Sequence, residues 1–294
     1  MKRLDATEIL FKAFAYTFLT VFALFCLYPF VYAISAALSG RVAYYSGRVV
    51  LFPVDIQFDA FKEILLTKRF WVSYANTLFV TFYGTIWALG VAILGAYALS
   101  KKRLVFRRGF NFFLVFTLWF SAGLVPQFLN YRATQSIFET ALGITDDKWL
   151  VVIAMGMAAF NVVLLRNAFE GVPSEIEEAA IVDGATEFQL LTRVYVPMSK
   201  SAIATVGLFF GISRWNGYFW ARTMIRNRNE WPLQVYIREQ LEEVLALELP
   251  ATTSYAPNSL IYAMIVCAII PIIVIYPYIQ KYFAKGVNVG GVKE

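Results

Sequence analysis

The sequence predicts an all-α integral membrane protein: six transmembrane helices with a polar helix-turn-helix between the fourth and the fifth. Composition points there first, since 59% of the 294 residues are hydrophobic and only 16% charged. The apolar residues also gather in runs that approach or exceed the ~20 residues needed to cross a bilayer core. Finally, a single polar stretch, Glu177-Glu178-Ala179-Ala180-Ile181-Val182-Asp183-Gly184-Ala185-Thr186-Glu187-Phe188, separates the fourth run from the fifth and closes at Pro197.

The runs fall at residues 14–38, 72–100, 110–131, 149–165, 202–212 with an aromatic extension over 215–220, and 260–279. The first is too long for a removable signal, whose apolar core is about 7–15 residues, and Asp5 and Glu8 stand in its leader, so it is expected to remain as a span. The last five runs carry no Lys, Arg, Asp or Glu except Arg214 in the extension of the fifth, which is the shortest. Pro29, Pro126, Pro271 and Pro277 lie in or beside runs, where kinks for packing and bends around a polar passage are both open readings. Gly207 and Gly211 form a Gly-x-x-x-Gly pair suited to close helix approach, expected within one subunit.

Orientation follows from the loop 101–108, with Lys101, Lys102, Arg103, Arg107 and Arg108 and no acid. Such a cluster is expected on the cytoplasmic side. Six spans then place both termini and the polar stretch in the cytoplasm, and the longer loops 39–71, 132–148 and 222–259 outside. The last of these has mixed charge and helical spacing. The net charge of +6 fits basic loops facing anionic headgroups, and no basic soluble domain suggests nucleic acid. No linker, repeat or low-complexity tract divides the chain, which reads as one domain, 1–294.

Local chemistry shapes the polar stretch. Pro173 and Ser174 open a helix, with Glu177 placed to complete a capping box with Ser174. Asp183-Gly184 ends it, because glycine tolerates the left-handed turn at a helix C-terminus. Thr186 and Gln189 form a second box, Phe188, Leu191 and Val194/Tyr195 share a face, and Pro197 stops the second helix. The expected product is a compact knob, about residues 170–200.

Catalysis within the chain is not expected. There is no histidine, phosphate-binding glycine loop, His-Glu-x-x-His or Gly-x-Ser-x-Gly. Cys26 and Cys267 fall inside spans, which argues against a disulfide scaffold. Nor do the runs hold the chain of acids and lysines that a proton-coupled transporter uses.

Glu178-Ala179-Ala180, Asp183-Gly184-Ala185, Phe188 and Val196-Pro197 resemble the EAA coupling loop of ATP-binding-cassette importer permeases. The resemblance extends through Leu27-Tyr28-Pro29-Phe30, Asn76-Thr77-Leu78, the segment from Leu94 to Ser100, Trp215-Asn216 and Pro232-Leu233-Gln234, which are similar to maltose-type carbohydrate permeases. The closing segment from Tyr276 to Val287 resembles the branch associated with aldouronate, pectin-derived or alginate-like oligosaccharides. One departure is Ser201, where the family often has a second proline. The resemblance implies a bacterial cytoplasmic (inner) membrane assembly of this permease, a second homologous permease, two ATPase subunits and an extracytoplasmic solute-binding protein. It also implies alternating access, with ATP and Mg held by the ATPase and no cofactor in this chain. Glu178, Ala179, Ala180, Asp183, Gly184, Ala185, Phe188 and Pro197 would form the ATPase-coupling site. Asp183 is read as bracing the turn through a nearby backbone N–H.

Arg214, Trp215, Asn216 and Tyr218 are candidates for the substrate path. The Arg214 guanidinium suits a sugar carboxylate, or alternatively snorkels to headgroups or pairs with a partner's acid. The aromatics suit sugar stacking or an interfacial belt. A self-sufficient secondary carrier or channel is the alternative function.

Overall fold

The computed structural model describes residues 6–246 and 253–286. In chain order its helices are α1 (Ala6–Ala37), α2 (Arg41–Tyr45), α3 (Asp59–Leu66), α4 (Lys68–Ser100), α5 (Arg107–Trp119), α6 (Leu124–Leu142), α7 (Asp147–Ala154), α8 (Ala159–Glu170), α9 (Ser174–Val182), α10 (Glu187–Leu190), a π-helical turn (Leu191–Tyr195), α11 (Val196–Met198), α12 (Lys200–Trp215), α13 (Phe219–Met224), α14 (Leu233–Ala246) and α15 (Pro257–Gly286). Among the described residues three helices are long and apolar enough to cross a membrane, or up to five if each bent pair is one span.

The first, second and sixth runs are single long helices, and α1 and α15 continue through Pro29, Pro271 and Pro277. The other three runs are each broken. The third divides at residues 120–123, where α5 and α6 meet at 119°. Gly123 has φ +82° there, and Pro126 falls in the first turn of α6, where its missing N–H costs nothing. The fourth divides between α7 and α8 around Gly156, at φ +63°. The fifth is α12, and its aromatic extension turns at Asn216 before α13 begins.

The chain separates into two compact units, Met1–Phe70 with Ile237–Ile272, and Trp71–Tyr236 with Ile273–Glu294. In the first, burial in α1 is confined to its last turns, at Ala33, Ser35, Ala36 and Ala37. The Ser259 hydroxyl donates to the Ala36 carbonyl at 2.9 Å and Tyr32 meets Tyr262 edge to face at 5.6 Å. Beyond the exposed Glu8–Lys12 ion pair of its first turns, the rest of α1 is apolar around its circumference and largely exposed, as suits a helix facing lipid or another protein.

The second unit is organised on α4. Ala88, Ala92 and Ala96 recur every four residues and are fully buried, with Tyr97, against Val162, Leu165 and Phe169 of α8 and Val206 and Phe210 of α12. Small side chains at that spacing let helices approach closely, which is how membrane helices pack without a hydrophobic drive. Gly207 and Gly211 face the same helix: a Cβ on either would meet Leu89 at 3.4 Å or Thr85 at 3.7 Å. Toward the N-terminal end of α4, Asn76 Nδ2 donates to the Asn229 carbonyl at 2.8 Å and Leu233 N–H donates to Thr77 Oγ1 at 2.6 Å. The motifs Asn76-Thr77 and Pro232-Leu233 are therefore two sides of one joint.

Ala92→Leu should overpack this seam and destabilise by about 1–3 kcal/mol. A lowered thermal midpoint in detergent, with Ala92→Ser close to wild type, is the expected measurement.

Candidate functional site

The knob begins where Pro173 stops being helical. Pro173 is the residue before the first turn of α9, and no side chain caps that end. The Ser174–Glu177 capping box is therefore not formed: Ser174 is already inside the helix and Glu177 has a stronger partner, described below. At the other end, Gly184 N–H donates to the Ile181 carbonyl at 2.9 Å and Ala185 N–H to the Ala180 carbonyl at 3.0 Å. With Gly184 at φ +80°, this is a Schellman turn. Its bonds are all backbone bonds. The Asp183 side chain is exposed and makes no hydrogen bond among the described residues, so it does not brace the turn as expected.

The second helix starts as its sequence predicts. Gln189 N–H donates to Thr186 Oγ1 at 3.3 Å and Thr186 N–H to Gln189 Oε1 at 2.8 Å, a complete capping box. The π-helical turn then widens the helix by one residue. Leu190, Leu191 and Tyr195 become the buried face, while Phe188 is 69% exposed and not on it as expected. The helix passes through Pro197 to Met198 and bends by 86° at Ser199 into α12.

The basic loop after α4 straps the knob from beneath. Lys101 Nζ bonds Glu177 Oε1 at 2.6 Å and lies 3.8 Å and 4.4 Å from the ring centroids of Tyr195 and Tyr97. Tyr195 Oη donates to Glu177 Oε2 at 2.5 Å and Tyr97 Oη donates to Glu187 Oε2 at 2.8 Å. Arg103 pairs with Glu187 and Arg107 with Glu170, while Arg107 Nε donates to the Leu99 carbonyl. Three of the five basic residues read as a topology signal are thus paired with acids of the knob and the helix leading into it. Sequence reasoning missed the roles of Lys101, Glu177 and Glu187. The only available signal was opposite charge on two loops 70–90 residues apart.

Burial alone would raise the Glu177 carboxyl, but hydrogen bonds from Lys101 and Tyr195 and the charges of Lys101 and Arg103 hold it below its ordinary value. A group whose pKa is depressed on folding stabilises the fold above its unfolded value and loses that contribution as pH falls through the folded one.

The expected coupling residues gather on the knob's free side. Glu178, Ala179, Asp183 and Gly184 are exposed with Phe188, Val182 is 87% exposed, and Pro197 is exposed near the bend. Ala180 and Ala185 face inward against the α4–α8–α12 core.

The expected substrate residues lie at the far end of the 16-residue α12. Arg214 is 4% exposed, and its guanidinium donates to the carbonyls of Val151 at 3.2 Å and Gly156 at 3.1 Å. The Val151 carbonyl, near the end of α7, also accepts the Met155 N–H at 3.3 Å, while the Gly156 carbonyl lies at the break between α7 and α8, where a helix end leaves such groups short of partners. Gly84 makes room for it, since a Cβ there would stand 3.2 Å from Arg214 Cδ and Nε. Arg214 therefore neither reaches headgroups nor presents its terminal nitrogens freely. Trp215 is buried edge-on to Tyr74, Asn216 is exposed and Tyr218 is half-buried. No cluster of metal-ligating side chains occurs among the described residues.

Comparison with known proteins agrees with this geometry. The family described as "Binding-protein-dependent transport system inner membrane component" matches residues 84–289. The chain is 33% identical, over 97% of its length and 98% of the relative's, to the polygalacturonan/rhamnogalacturonan transport system permease protein YtcP of Bacillus subtilis (strain 168). A chain from the crystal structure of a bacterial ABC transporter involved in the import of the acidic polysaccharide alginate superimposes with TM-score 0.84 at 41% identity, over 96% of this chain and 100% of that one. Another, from a bacterial alginate ABC transporter in complex with alginate pentasaccharide-bound periplasmic protein, shares the fold at TM-score 0.65 and 16% identity, over 93% of both chains. Fold and knob thus define a multi-pass, all-helical permease of the cytoplasmic membrane. The chain belongs to the family of inner-membrane components of binding-protein-dependent ABC transport systems.

Two outcomes follow from the site geometry. Acidifying from about pH 6 toward pH 3.5 should lower the thermal midpoint of the wild type more than that of Glu177→Gln, in which that carboxyl no longer titrates. Gly84→Val and Arg214→Gln should each lower the midpoint, and the double variant should fall well short of the sum, because both disturb one contact.

Proposed function

We propose that this chain is one membrane-spanning subunit of an ATP-driven, binding-protein-dependent importer of oligosaccharides, and that its substrates are fragments of acidic polysaccharides. The permease domain is 1–294, with six crossings, both termini and the knob in the cytoplasm, and a second homologous permease beside it. Two ATPase subunits hold ATP and Mg and carry out hydrolysis. This chain contributes no catalytic group and no cofactor, and an extracytoplasmic binding protein delivers the sugar.

The observation that carries the reading is the form of the knob: a two-helix element closed by a Schellman turn, fastened to α4, with Val182 and Phe188 left bare on its free side. Bare apolar side chains beside the carboxylates of Glu178 and Asp183 suit a groove with an apolar floor and basic rim on the ATPase. Ala179 and Gly184 keep that side low, Ala180 and Ala185 seat the turn on its own core, and Pro197 lies near the bend that carries movement into α12. The acidic substrate class is supported by the alginate importer that resembles this chain at 41% identity and by the polygalacturonan/rhamnogalacturonan permease at 33%. Asn216, exposed, and Tyr218, half-exposed, are the proposed sugar contacts, with Arg214 and Trp215 shaping the wall behind them.

Gly184→Val tests the docking. A Cβ at Gly184 meets no atom within 4 Å, so the substitution acts through backbone strain at φ +80° and leaves packing alone. Wild-type insertion with loss of ATPase co-purification and of oligosaccharide uptake is expected. Unchanged uptake, or solute movement by the isolated chain in liposomes, would favour a self-sufficient carrier.

A further inference from the structure

Docking explains how force reaches the knob, and the covalent path from there is α12. The structure contains a second path. Residues 101–107 follow directly on the last residue of α4 and touch two helices of the coupling element and the helix that leads into it: Lys101 to Glu177 of α9, Arg103 to Glu187 of α10, and Arg107 to Glu170 of α8. The Lys101 contact is the one built for rigidity. Its side chain is 8% exposed, its ammonium is enclosed by a carboxylate and two tyrosine faces, and the second oxygen of that carboxylate is held by Tyr195. A buried charge with all its partners in place cannot slide without leaving an unpaired ion, so the group moves as a body.

We propose that Lys101 is a positioning residue of the transport cycle, through which displacement of the knob is imposed on the end of α4 as well as on α12. The proposal rests on the docking reading above. Its reach is set by helix geometry: from Lys101 to the Asn76–Thr77 joint α4 runs for about 36 Å at 1.5 Å per residue. Displacement at the knob therefore arrives at the opposite end of the unit, where Thr77 holds Leu233 and Asn76 holds Asn229. Lys102 and Arg108, exposed beside the strap, remain for headgroups.

The test uses the assembled complex in liposomes, with sugar accumulated per ATP hydrolysed as the readout. The substitutions are Lys101→Met, Lys101→Arg and Tyr195→Phe, with Gly184→Val alongside. Lys101→Met should keep the ATPase bound and hydrolysing, while sugar per ATP falls by at least about fivefold. Tyr195→Phe, which keeps the ring and loses the bond to Glu177, should fall less, and Lys101→Arg should retain most of the ratio. A wild-type ratio in Lys101→Met overturns the proposal. So does loss of ATPase co-purification in Lys101→Met to the extent seen in Gly184→Val, because the strap would then be only a brace for the knob. Failure of the docking reading looks different, since Gly184→Val would then retain the ATPase.

Discussion

With almost no side-chain bulk on one face, α4 can be approached by α8 and α12 at once, and the second unit depends on that. Gly84, Ala88, Ala92 and Ala96 form the face, and the apolar residues of α8 and α12 fill it. Water supplies no drive for helix association inside a bilayer, so contact area between closely fitted surfaces has to supply it. The knob hangs from the ends of α8 and α12 and is placed by that fit. A bulkier α4 would move the knob before it altered anything in the knob itself.

The same packed face explains the treatment of polar groups. At the break between α7 and α8, Arg214 reaches from α12 to bond the Gly156 carbonyl and to add a second donor to the Val151 carbonyl. Arg214 fits because position 84 is glycine. An arginine that looks from sequence like a free binding group is thus committed to the backbone. At the other end, Lys101 and Glu177 make the complementary arrangement with side chains alone.

Much of this was legible in the sequence, and the failures have physical causes. The all-helical membrane class, the two-helix knob, the glycine turn at 184 and the Thr186–Gln189 box are local features, set by residues within about four positions of each other. Ser174 failed as a cap because Pro173 places the helix start one residue earlier than a Ser174 cap requires, and because Lys101, far away in sequence, claims Glu177. Phe188 was misplaced because the π-helical turn shifts the register, and nothing in a 3.6-residue pattern announces a single wide turn. The broken third and fourth runs were hidden because hydropathy reports what a segment is made of and leaves its direction open. Arg214 was misread because its partners are carbonyls, which every residue has.

The strap of 101–107 also carries a consequence for how the chain threads the bilayer. Its pairs with Glu170, Glu177 and Glu187 can form only if both segments emerge on one side. Whatever path residues 108–169 take between them, they must cross the membrane an even number of times. If the bent α5–α6 pair makes a single crossing, the segment from α7 to α8 has to supply another. An odd number of crossings would separate three acids from their bases by a hydrocarbon barrier, so the folded ion pairs are compatible with even parity alone.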